Sequence, residues 1–207
     1  MIYFLVTTCI FDDCTIRKNQ YINCISKLKQ VVRDMNIENY KIIIIENNGL
    51  RSTFLNYMDC EVYYTNNNFL KVKNKGYKEL KDILDCIEDY NINDTDFVVK
   101  ITGRYVLKDN SEFMNVIKNI HITKYDSVIK YGAFYKPVNY KMKDCITGLI
   151  GMTCSYLKQI KKPIGDDYPV EWNWAEVTYL MDDNKICIVK NLDIDVCPCS
   201  VATYFAV

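Results

Sequence analysis

Only four of the 26 basic residues are arginines, and one of them stands where a binding site is easily built. Arg104 follows the stretch Asp96-Phe-Val-Val-Lys-Ile-Thr-Gly103, an apolar run that enters a small, tight turn carrying Thr102, Gly103 and the guanidinium. Side chains alternate along a strand, which puts Lys100 and Thr102 on one face with Arg104 just beyond. A guanidinium is always charged and presents paired N–H donors that match the oxygens of a phosphate or a carboxylate. The same residue would serve equally in a structural ion pair, and the sequence leaves both uses open.

The elements that must position Arg104 read as alternating strands and helices. Ile2–Thr8 is a continuous apolar run, the pattern of a strand buried on both faces. Residues 17–35 carry apolar side chains at 21, 22, 25, 28, 31, 32 and 35, a helical spacing. A second buried strand at 40–45 is stopped by the turn signal Glu46-Asn-Asn-Gly49. A short helix at 52–58 and a strand at 61–65 follow, then Asn66-Asn-Asn68. A helix opens at Asn74-Lys-Gly76 and runs to about residue 90. The pattern then predicts a strand at 94–101, a helix at 112–120, a strand at 127–131 and a loop or hairpin at 135–143. Residues 146–151 lead into a helix at 153–160. A loop at 163–169, a helix at 170–183 and a last central strand at 185–189 precede a tail that is irregular or an edge strand.

This alternation predicts an α/β fold: one domain with a mostly parallel sheet and helices on both faces. Ligands of such sheets bind beyond the carboxyl ends of the strands. The residues there are Thr7-Thr8-Cys9, Asn47-Asn48, Asn66 to Asn68, and Thr102-Gly103-Arg104. Asn47 and Asn48 also suit a plain turn, and Asn74 an ordinary helix N-cap.

Composition narrows the function classes. Basic and acidic residues balance at 26 each, which argues against a general nucleic-acid binder but leaves room for a local basic site. The ten cysteines are scattered, with several inside apolar runs, and suit a reducing compartment. One histidine and no pair of C-x-x-C motifs make a zinc site unexpected. No apolar run reaches the ~18 residues of a membrane helix.

Taken together, residues 2–183 resemble small glycosyltransferases of the A-type fold, the nucleotide-diphospho-sugar transferases. In that family a strand of the form F-V-V-K-x-D-D-D-x-F ends in metal-binding aspartates; here the position reads Thr102-Gly103-Arg104. The strand ending Val6-Thr7-Thr8 resembles the one whose loop holds the nucleotide base. Asn47 and Asn48 occupy a place where relatives set an acid or amide against the base. Asn74-Lys-Gly76 resembles the N-x-G segment opening the helix behind the ribose. Gly148-Leu-Ile-Gly151 resembles the small-residue segment beneath the acceptor. Pro169-Val-Glu171-Trp-Asn-Trp174 resembles the acidic motif that supplies the base in inverting enzymes.

The resemblance implies transfer of a hexosyl or deoxyhexosyl group from a nucleotide sugar to a glycan or glycoprotein hydroxyl. Residues 1–107 would hold the donor and 108–207 the acceptor. Donor contacts would come from Thr7, Thr8, Asn47, Asn48, Asn74, Gly76, Lys100, Thr102, Gly103 and Arg104. Glu171 would be the base, with Asp167 as the next candidate, and Trp172, Trp174 and Tyr135 would meet the acceptor. Two tryptophans two residues apart on a helix point in different directions, so at most one lines the site. Without the aspartates no cofactor is expected. Mn²⁺ or Mg²⁺, which want hard oxygen ligands, lack a D-x-D motif. A fixed cation would then stabilise the leaving diphosphate. A non-catalytic glycan- or nucleotide-binding domain of the same fold is the alternative. Compact domains of this kind occur in bacterial polysaccharide clusters and large DNA viruses. The expected setting is the cytoplasm, that of the host in the viral case.

Overall fold

A run of branched apolar residues is stable as a strand only where both of its faces are covered, and the chain meets that demand by layering. The structure, a computed structural model, describes residues 1–11, 14–133, 136–162 and 165–197, with the backbone of 205–206. The first half contains β1 (Ile2–Thr8), α1 (Thr15–Asp34), β2 (Tyr40–Glu46), β3 (Glu61–Tyr64), α2 (Lys75–Asp89) and β4 (Phe97–Thr102). The second contains β5 (Val106–Leu107), α3 (Glu112–Lys118), α4 (Ile120–Thr123), β6 (Ser127–Ile129), β7 (Leu149–Thr153) and α5 (Cys154–Leu157). It continues with α6 (Val170–Val177), β8 (Ile186–Ile188), β9 (Ile194–Val196) and β10 (Phe205–Ala206).

Seven strands form one sheet in the order β3-β2-β1-β4-β7-β6-β8, and β10-β9-β5 form a smaller one. β3, β2, β1 and β4 run parallel, as do β6 and β8, while β7 runs antiparallel to both of its neighbours. The expected mostly parallel α/β sheet is therefore what forms. Its register matters for the site. Thr8 lies beside Glu46, and Thr7 beside Thr102, so the polar ends of three central strands finish together.

Alternation along β1 divides the core. Ile2, Phe4 and Val6 pack with Cys24, Ile25 and Leu28 of α1. Leu5, with Ile43, Ile45 and Val98, packs with Leu80 and Ile83 of α2 and Trp174 of α6. A one-residue slip would exchange the two sets and strip both helices of their partners.

Four segments depart from the sequence reading. Residues 149–153, expected within a lead-in to a helix, are β7, an interior antiparallel strand. Two glycines, Gly148 just before the strand and Gly151 within it, interrupt the apolar pattern because rings fill their side-chain space: a Cβ on Gly151 would lie 2.6 Å from the Phe97 ring, and one on Gly148 would strike Tyr105. The segment expected as a last central strand is β8, at the sheet edge. The helix predicted over 170–183 ends at Val177, and the one over 52–58 is a 3₁₀ turn, Phe54–Tyr57, capped by Thr53. No helix among the described residues is long and apolar enough to cross a membrane.

Candidate functional site

The carboxyl ends of β1, β2 and β4 open into a cleft of about 880 Å³. Thr7, Thr8, Asn47, Lys100, Thr102 and Arg104 line it from these ends, with Gly76, Glu79 and Asp82 from α2. Tyr105, Asp144 to Gly148, and Pro169, Glu171 and Trp172 complete it, so distant parts of the sequence build one space.

The floor is a closed ionic network. Lys100 is 1% exposed, and its ammonium reaches Thr102 Oγ1 at 2.8 Å, Thr147 O at 2.6 Å and Glu79 Oε1 at 3.0 Å. Thr7 Oγ1 donates to the same Glu79 carboxylate. A buried ammonium survives only when its charge and its donors are matched. Lys100 meets this condition within the fold, so its charge is largely answered before any ligand arrives.

Glu46 fixes the loop after β1. It is fully buried, accepts from Thr8 Oγ1 at 2.7 Å and from the Ile10 N–H at 3.1 Å, and lies 3.6 Å from Arg51. Tyr21 holds the same loop: its hydroxyl accepts from Cys9 N and donates to Cys9 O. Burial pushes the Tyr21 hydroxyl pKa upward. Burial likewise raises the Cys9 thiol, with the nearby Glu46 carboxylate adding to the effect.

Asp82 is the other buried acid. It accepts from Thr65 Oγ1, from Asn67 Nδ2 at 2.8 Å and from Asn47 Nδ2 at 3.1 Å. Burial raises its pKa to about 6, and these three hydrogen bonds work in the opposite direction. Asn47 Oδ1, also buried, has no hydrogen-bond partner.

Toward the mouth the cleft is lined by Arg17, Lys75, Lys78 and Arg104. Arg104 Nη1 donates to the Cys197 carbonyl at 2.7 Å, which ties the guanidinium to the end of β9. Glu171 lies in the first turn of α6, where a carboxylate suits the helix dipole. Desolvation raises the pKa of Asp144. α2 and α6 meet at this end because Gly76 has no side chain; a Cβ there would strike Val170.

Of the residues singled out from sequence, Thr7, Thr8, Asn47, Gly76, Lys100, Thr102, Arg104, Glu171 and Trp172 line the cleft. Asn48, Asn74, Gly103, Asp167 and Trp174 are not among its lining residues. Trp174 is 2% exposed and belongs to the core, whereas Trp172 is 39% exposed. Asn74 caps α2 through Tyr77 N and donates to Tyr168 O. Asn48 pins loops together, donating to Ile10 O at 2.7 Å and accepting from Asn68. Gly103 gives its N–H to Thr7 O, and a Cβ there would come 2.8 Å from that oxygen. Asp167 is exposed and off the lining. Tyr135 lies outside the described residues. The sequence reading missed Arg17, Glu79, Asp82 and Asp144. Glu79 and Asp82 carried one faint signal, acids three apart on a helix beside an apolar stripe.

None of the carboxylates with which the resembled family holds a divalent ion stands at the end of β4. The end of β4 offers a hydroxyl already bonded to Lys100, a glycine and a guanidinium. Among the described residues no group of three or more His, Cys, Asp or Glu side chains is placed to hold a metal.

No protein-family model matches the sequence, and no curated protein matches it. Solved structures do share the fold. One is a protein assigned as a glucose-1-phosphate thymidylyltransferase from Bacillus anthracis, in complex with sucrose: TM-score 0.58 at 10% identity, over 91% of this chain and 86% of that one. Another is a mannosyltransferase from Pyrobaculum calidifontis in complex with GDP-mannose and Mn²⁺: TM-score 0.52 at 7% identity, over 91% of this chain and 56% of that one. The fold is thus the α/β fold of these nucleotide-sugar enzymes.

Proposed function

We propose that this chain is a glycosyltransferase, moving a hexosyl or deoxyhexosyl group from a nucleoside-diphosphate sugar to a glycan or glycoprotein hydroxyl without a divalent metal. One observation carries the reading: a single cleft holds Arg104 from the end of β4 together with Glu171 and Trp172 from the start of α6. Arg104 binds the diphosphate and stabilises the charge that develops on it as the glycosidic C–O bond breaks. Glu171 takes the proton of the acceptor hydroxyl while its oxygen attacks the anomeric carbon. Such a single displacement inverts that centre. Trp172 offers an exposed ring face for a sugar. Thr7, Thr8, Asn47, Gly76, Lys100 and Thr102 shape the donor side. Nucleotidyl transfer is disfavoured by the loop after β1: residues 7–16 contain no glycine to bring backbone N–H groups against a triphosphate. The nine described cysteines are free thiols, which suits a reducing, cytoplasmic setting.

The test is turnover of UDP-, GDP- and dTDP-sugars, with slow donor hydrolysis read in the absence of acceptor. Glu171→Gln should lower turnover by at least about 100-fold and leave the donor-induced rise in melting temperature in place. Near-wild-type turnover would remove Glu171 from the mechanism. A thermal shift without any hydrolysis would favour a non-catalytic binding domain.

A further inference from the structure

The rim of the cleft differs from the rest of the surface in both charge and apolar exposure. Segments 9–19, 47–53 and 66–78 lead away from the carboxyl ends of β1, β2 and β3. They hold seven lysines and arginines against two aspartates, a net of +5 in a chain whose total is zero. Arg51 turns inward to Glu46. Lys18, Lys71, Lys73, Lys75 and Lys78 stand on the rim with Arg17, which is half-buried. Large apolar side chains stand among them: Leu50 is 86% exposed, Phe69 68%, and Phe11 and Ile16 more than half.

These loops form one surface. Asn68 Nδ2 donates to Asn48 Oδ1, and Arg51 Nη2 to Ile10 O at 2.7 Å. The Arg17 guanidinium lies 5.0 Å from the Phe11 ring centre, and Lys18 Nζ 5.5 Å from that of Phe54. The border beyond α2 is of mixed sign, with Lys162 over the Tyr77 ring and Asp166 accepting from Lys73 N.

We propose that this rim is a docking surface for an anionic lipid bilayer. Basic residues near a membrane surface are drawn to anionic headgroups. Apolar side chains among them enter the boundary between headgroups and acyl chains. A nucleic acid would answer the charges but gain little from Leu50 and Ile16, which have no flat face to stack on a base. Docking turns the cleft mouth, lined by Phe11, Arg17, Lys75 and Lys78, toward the lipid. It stands independently of any transfer activity. If the glycosyltransferase reading also holds, on which this last step rests, the acceptor is a lipid-linked glycan presented from the bilayer.

Co-sedimentation with phosphatidylcholine vesicles, with and without phosphatidylglycerol, tests the proposal. The chain should sediment only with the anionic vesicles. Replacing Lys18, Lys71 and Lys73 by Glu together should weaken that partition by at least about 100-fold, at about fivefold for each basic charge lost and more from the repulsion of each new carboxylate. Leu50→Ser with Phe69→Ser should weaken it at least about tenfold with an unchanged melting temperature. Sedimentation with neither vesicle would overturn the proposal. So would anionic binding that the Leu50 and Phe69 changes leave intact, the behaviour of a general polyanion site. Because a charge-reversed chain that fails to fold gives no reading, the wild-type comparison of the two vesicles and the Leu50 and Phe69 variant, whose melting temperature reports its folding, decide together.

Discussion

Two buried carboxylates near the carboxyl rim of the sheet are handled in opposite ways. Glu46, at the end of β2, receives a hydroxyl, backbone N–H groups and a guanidinium 3.6 Å away. Asp82, on α2, is nearly as buried but receives only neutral donors, from Thr65, Asn67 and Asn47. A carboxylate held by a guanidinium and backbone N–H groups can serve as a fixed clamp. Burial pushes one that lacks a counter-ion toward its protonated form, against the pull of its neutral donors, and Asp82 stands in this position beside the open cleft. Glu46 shapes the loop that borders the site, whereas Asp82 belongs to the site wall and is sensitive to what lies next to it.

Removing the clamp should have the largest effect on stability. Glu46→Ala leaves Arg51 facing a cavity and two loop N–H groups without an acceptor, and should cost about 3–5 kcal/mol in chemical denaturation. A loss under about 1 kcal/mol, typical of an exposed pair, would erase the contrast. Asp82 should reveal itself through pH. Its folded pKa is about 6 against an ordinary 3.8, so between these values the folded protein keeps a proton that the unfolded chain has lost. Stability therefore falls as pH rises from about 4 to about 6, by at most about 3 kcal/mol. Asp82→Asn should flatten that slope; a slope that persists would assign it to other groups. The smallest change is expected from Asn47→Ala. It deletes one donor to Asp82 together with an acceptor that has no partner, so the net cost should stay near 1 kcal/mol. The pH window of Asp82 should shift upward, as a titration followed by NMR would read.

Much of the scaffold was legible because burial leaves a local trace. β1 matches its apolar run residue for residue, and Asn74 marks the start of α2 as an N-cap does. The tryptophan spacing requires that at most one ring line the cleft, without saying which; Trp172 does, and Trp174 is in the core. β7 was not legible, since its glycines are explained only by the ring of Phe97 on β4 and that of Tyr105 in the turn after β4, which fill their space. The polar wall was harder still. In the sequence, Asp82 looks like any acid on a solvated helix face; its burial comes from Asn47, Thr65 and Asn67, which arrive from other parts of the chain. For Asn48 and Asn74 the sequence left ligand contact and local fastening open, because asparagine at a strand or helix end serves either use, and both do fasten the chain locally.

Equilibrium binding of UDP-, GDP- and dTDP-sugars in the presence of EDTA, to the wild-type chain and to Arg104→Ala, bears most directly on the metal-free site. One donor should bind the wild type as tightly with EDTA as without it, and the Arg104 change should weaken that binding at least about 30-fold, the worth of a charged pair of hydrogen bonds. Binding that EDTA abolishes and Mn²⁺ restores, or an Arg104→Ala chain that binds like the wild type, would contradict the account.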